Sequence, residues 1–81
     1  MKFENSYLKA QIAIANLKGA IYERLKSAGE VGLTNAELGR SLGIYSGHVG
    51  HEGHISRTLL SIMEEEGVIK QLENKKWVLN G

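Results

Sequence analysis

Apolar positions along this chain follow helical spacing in three places and alternate in one. Ile14, Leu17, Ile21, Leu25 and Ala28 fall three and four residues apart, which is one face of a helix. Leu8 and Ile12 begin a related stripe one turn earlier. The pattern predicts a long helix over residues 5–28, with Asn5 or Ser6 able to cap its start and Gly29 placed to end it. Gly19 weakens the middle by roughly 1 kcal/mol relative to Ala, so the pattern allows a break between Asn16 and Gly19. This helix is either core scaffold throughout, or its first half, residues 7–15, pairs with a second subunit.

A short second helix is expected over residues 35–42. Thr34 and Glu37 have the spacing of a capping box, in which the hydroxyl accepts from one amide and the carboxylate from the other. Ala36, Leu38 and Leu42 supply its apolar side, Leu33 and Ile44 flank it, and Gly43 stops it. Residues 30–33 before it read as a connector with room for one β-bridge. Residues 44–53 then carry Gly at 47, 50 and 53, each followed by His. That glycine density rules out a stable helix and predicts a loop.

The third helix is expected to begin at Glu52 or Gly53 and run to Glu66. Ile55, Leu59, Ile62 and Met63 share one face, Leu60 sits at the boundary, and His54, Arg57, Thr58 and Ser61 lie opposite. Gly67 closes it. Residues 68–72 and 76–80 are β-rich runs separated by Glu73, Asn74 and Lys75, which predicts a hairpin. Trp77 and Leu79 can join Ile69 in the core, while Val78 breaks the alternation and needs its own cover.

Eighty-one residues with 42% apolar side chains fit one small domain. There is no Cys, so neither a disulfide nor a thiolate zinc site braces it. There is no Asp either, which removes the commonest ligand of magnesium-dependent nuclease sites. No apolar run approaches the roughly 18–20 residues of a membrane span, and MKFENSYLK lacks a signal-peptide apolar segment, so a cytoplasmic protein is expected. The net charge is only +1, lower than strong DNA binders usually carry. Ser46 and Ser56 near histidines are explained by loop and helix-start composition, and no Ser-His-acid arrangement stands out. The expectation is therefore not an enzyme and no cofactor.

The order helix, connector, helix, helix, hairpin resembles that of winged helix-turn-helix domains. GLTNAELGRSLGI looks like their Leu-Thr-x-x-Glu-Leu-x-x-x-Leu-Gly support helix. ISRTLLSIMEEEGVIKQ with KKWVL looks like their recognition helix passing through Glu-rich residues and Gly67 into the wing. The resemblance covers about residues 17–80, with residues 1–16 as an N-terminal helical extension of one domain over 1–81. The Gly-rich insert and Thr-Asn-Ala-Glu-Leu also resemble winged helices appended to restriction endonucleases and related DNA-processing proteins. The fold implied is mainly α with a small β-hairpin: a three-helix core with a long first helix, plus a two-stranded wing. The function implied is double-stranded DNA binding by a transcriptional regulator or a DNA-targeting domain.

Carried over by position, the resemblance implies major-groove contacts from His54, Arg57, Thr58 and Ser61, and wing contacts from Lys75 and Lys76. Thr34, Asn35 and Arg40 would touch phosphate. The long 44–53 insert and low net charge depart from the common pattern, and the insert itself can contact the backbone through Gly amides and through Tyr45, Ser46 and His48. Arg57 matters most, because Arg can bond guanine bidentately; the plain alternative is a solvated Arg paired with Glu64 or Ser61. Lys75 and Lys76 could equally be a solvated turn. His48, His51 and His54 recur every third residue. They could approach a metal, although no fourth ligand is evident beyond Glu52, and no metal site is assigned. Near phosphate their pKa values would rise, and binding would tighten as pH falls through the His range. Glu64, Glu65 and Glu66 keep the end of the third helix away from phosphates. The alternative function is a protein-interaction or dimerisation module, including a homodimer through the first helix.

Overall fold

The computed structural model describes residues 3–47, 50 and 52–81. Helix α1 (Glu4–Ala28) leads through a 3₁₀ turn (Gly29–Val31) to α2 (Asn35–Ser41) and α3 (His54–Glu65). Strands β1 (Ile69–Gln71) and β2 (Trp77–Leu79) follow and pair antiparallel. The chain is thus mainly helical with a two-stranded hairpin. No helix among the described residues is long and apolar enough to cross a membrane.

Helix α1 is continuous; the break allowed near Gly19 does not occur. A Cβ on Gly19 would meet nothing within 4 Å, so this glycine costs helix propensity but disturbs no packing. The helix starts one residue before Asn5, with Phe3 at the cap position and no side-chain cap. Ile21 and Leu25 are fully buried, Leu17 and Ala28 are half-buried, and residues 3–16 are exposed throughout. The apolar stripe therefore leaves the core just before Leu17.

The core gathers Ile21, Leu25, Leu33, Leu38, Leu59, Leu60, Met63, Ile69 and Trp77. Its composition corrects the expected inner face of α3. Ser56, Leu59, Leu60 and Met63 are buried there, whereas Ile55 and Ile62 are 44% and 37% exposed. Apolar residues span a broad arc of this helix, and the wheel alone does not say which part of a broad arc meets its neighbours. The other elements pack on the Leu60 and Ser56 side. A serine can occupy that side because its hydroxyl is bonded to Asn35 and Gly53.

The hairpin pairs Ile69 with Leu79, Lys70 with Val78 and Gln71 with Trp77. Ile69, Trp77 and Leu79 therefore share the inner face, as their alternation predicts. The connector adds the expected bridge: Leu33 and Trp77 exchange backbone hydrogen bonds of 3.1 and 2.7 Å. This pairing also covers Val78 on the other face, where Gly32 approaches. A Cβ on Gly32 would lie 2.5 Å from the Trp77 carbonyl oxygen and 2.8 Å from Val78 Cγ1. Lys18 Nζ bonds Glu66 Oε2 at 2.8 Å and ties α1 to the end of α3.

Candidate nucleic-acid interface

The start of α3 is fixed by its contact with α2. Thr34 forms the expected capping box: its Oγ1 accepts from the Glu37 amide at 3.1 Å, and the Glu37 carboxylate accepts from the Thr34 amide at 2.9 Å. Those bonds to Thr34 hold the Glu37 carboxyl below its ordinary pKa, and the positive charges of Lys76 and Arg24 add to the effect. Asn35 next reaches across to α3. Its Nδ2 donates to the Gly53 carbonyl at 3.3 Å, and its Oδ1 accepts from Ser56 Oγ at 2.7 Å. The half-buried Asn35 is thus a strut between helices, a role the sequence did not suggest.

Two glycines permit this joint. Gly53, at φ 84°, is the residue before α3, and a Cβ there would lie 2.7 Å from Asn35 Nδ2 and 2.8 Å from Tyr45 Cε1. Gly39 lies within α2, and a Cβ there would lie 2.9 Å from Ser56 Oγ and 3.1 Å from Tyr45 Cβ. Sequence reasoning misses Gly39, Gly53 and Ser56 as residues that build the site. The available signal is small residues on two consecutive helices with an Asn at the start of the first, which is weak until the crossing is known.

Tyr45 covers the joint and carries Arg40, whose guanidinium carbon sits 4.6 Å from the ring centroid. A stacked guanidinium keeps its N–H donors in its own plane, so exposed Arg40 still has edges to offer an anion. Ser46 is exposed, and its carbonyl accepts from the Gly53 amide at 3.0 Å, closing the base of the loop. The Gly50 amide donates to Glu52 Oε2 at 3.0 Å. His48 and His51 lie outside the described residues.

Helix α3 presents two surfaces besides its buried one. At about 100° per residue, His54, Arg57 and Ser61 form an outward row, all exposed. Among the described residues Arg57 has no side-chain hydrogen bond or ion pair, so the expected alternative of pairing with Glu64 or Ser61 is not seen. Thr58, also exposed, lies beside His54 at the edge of that row, on the side toward α1. There it lines a groove of about 380 Å³ with Ile14, Leu17, His54, Ile55, Leu59 and Ile62.

The hairpin tip is a three-residue loop. The Leu72 amide donates to Lys76 O at 2.8 Å and the Lys75 amide to Leu72 O at 3.0 Å. Lys75 takes the left-handed conformation at φ 73°, the position that glycine usually fills in such a loop. Asn74 Oδ1 accepts from the Lys76 amide at 3.0 Å and completes the turn. Lys75 is exposed; Lys76 is half-buried, and its charge acts on Glu37 at the start of α2. Thr34, Asn35, Arg40, Tyr45 and Ser46 thus form one connected assembly with the start of α3, which Lys76 joins through Glu37.

Comparison with known proteins finds no matching family model, curated protein or solved structure.

Proposed function

We propose that this chain is a winged helix-turn-helix domain that binds double-stranded DNA, with α3 entering the major groove and the β1–β2 hairpin serving as the wing. The observation that carries the reading is the outward row on α3. Arg57 stands in it with no partner among the described residues, on a helix whose start is clamped to α2 through Asn35, Gly53 and Ser56. A recognition helix reads bases from its N-terminal part, and His54 and Arg57 occupy the first turn of α3, with Ser61 one turn further along the same row. The acidic residues 64–66 lie at the opposite end. Stacked Arg40, together with Lys75 and Lys76, would supply phosphate contacts. The setting would be a transcriptional regulator or the DNA-targeting part of a restriction or other DNA-processing system.

The test is fluorescence anisotropy with a short mixed-sequence duplex at about 50 mM salt and above. Affinity should fall with salt, and Arg57→Ala should weaken binding by about tenfold or more, the lower part of the range for one bidentate base contact. An Arg57→Ala chain that binds as tightly as the parent at every salt concentration would remove α3 from the interface.

A second reading, a protein-interaction or dimerisation module, is favoured by one observation. Phe3, Tyr7, Leu8 and Ile12 on the first half of α1 and at its cap are each more than half exposed, apolar exposure on two sides of the helix that is unusual for a small domain. The two readings are compatible on one chain.

A further inference from the structure

The face of α1 that builds the core continues beyond it. Ile14, Leu17, Ile21 and Leu25 are three and four residues apart, and the same steps counted backward reach Ala10, Tyr7 and Phe3. At about 100° per residue these positions fall in one strip roughly 80° wide. Its C-terminal half is buried, whereas Tyr7 is 57% and Phe3 68% exposed. Where the strip leaves the core, Ile14 and Leu17 form one wall of the groove whose other wall is Ile55 and Ile62. A projecting apolar half-helix and an apolar groove therefore lie side by side on one molecule.

We propose that they fill one another between two copies. The first half of α1 from one copy lies antiparallel in the α1–α3 groove of the other, and a two-fold axis makes the insertion reciprocal. A second copy fits because strip and groove share Ile14, so one isologous crossing covers both. Small Ala10 lies in the strip between Tyr7 and Ile14 and allows close approach of the two helices at the axis. Reciprocal insertion would bury on the order of 1,200 Å² in total, the lower edge of stable interfaces. It also supplies packing to a half-helix that, unsupported, would be marginal in water. Antiparallel helices further set their dipoles in opposition. Thr58 and His54 on the groove side then face the partner, while Arg57 and Ser61 stay outward. The apolar surfaces alone carry this pairing, independently of the DNA-binding reading.

Sedimentation equilibrium of the whole chain without DNA tests it. The expected mass at tens of micromolar is twice the 8.9 kDa of the chain. Ile14→Glu and, farther from the core, Tyr7→Glu should each raise the dimer dissociation constant at least tenfold. Near-ultraviolet circular dichroism of Trp77 reports whether the core survives each change. Because the chain has no Cys, Ala10→Cys should form an intersubunit disulfide on mild oxidation, and Ile12→Cys, on the opposite side of α1, should not. A monomer at hundreds of micromolar overturns the proposal. So does a dimer that Ile12→Cys crosslinks and Ala10→Cys does not. Loss of DNA binding changes neither readout.

Discussion

The closeness of α2 and α3 predicts that one substitution, made at two helical glycines, acts with opposite sign. Gly19 lies in α1, and a Cβ added there would have nothing within 4 Å, so Gly19→Ala gains helix propensity alone, about 1 kcal/mol. Gly39 lies in α2 and offers the same gain, but its new Cβ would sit 2.9 Å from Ser56 Oγ. That hydroxyl is held by Asn35 Oδ1 at 2.7 Å, and Tyr45 crowds the other side at 3.1 Å. Neither neighbour can retreat without breaking a hydrogen bond or moving the loop, and overpacking of this kind costs about 1–3 kcal/mol. After the propensity gain, Gly39→Ala should destabilise by about 1 kcal/mol. In a domain of this size each kcal/mol moves the melting temperature by about 4–8 °C, so the two variants should melt on opposite sides of the parent. Urea and thermal unfolding followed by circular dichroism, at one fixed protein concentration because self-association shifts the midpoint, reads the difference. If Gly39→Ala stabilises as much as Gly19→Ala, the two helices do not approach as described, and the clamp on α3 fails with them.

Thr34→Ala should cost about 1 kcal/mol through loss of the cap, read by urea denaturation. Because the Glu37 pKa is lowered in the folded chain, the contribution of its carboxylate is present above the ordinary Glu range. It should fade as pH falls through the folded value, and Glu37→Gln should flatten that part of the acid unfolding curve. Lys75→Gly should raise stability by roughly 0.5–1 kcal/mol by relieving the left-handed backbone. In the DNA titration it should lower the salt slope by about 1 if Lys75 meets a phosphate; an unchanged slope would make Lys75 a solvated turn residue.

Much of the architecture is legible along the chain because its causes are local. The capping box at Thr34 and Glu37 depends on four consecutive residues, and the hairpin turn on Glu73, Asn74 and Lys75. The glycine at 29 and the alternation of Ile69, Trp77 and Leu79 are equally short-range. Each is expected from the residues and each is present. The inner face of α3 departs in part from its expectation. Ile55 and Ile62 belong to the same broad apolar arc as Leu59 and Met63, and only the positions of α1, α2 and the sheet select which part of that arc is covered.

Periodicity, caps and turn residues act within a few positions, so the residues alone dictate the elements, their order and the stripe that runs along α1. Which polar groups are used internally depends instead on how those elements pack. Asn35 and Ser56 look like ordinary surface residues in a one-dimensional reading, yet 21 residues apart they meet at 2.7 Å. Gly39 and Gly53 matter because another element passes where a Cβ would be. These are distances between segments remote in sequence, and no local rule encodes them. The same packing leaves Arg57 outward and Tyr7 uncovered, which is where the proposals for DNA and for a second copy both begin.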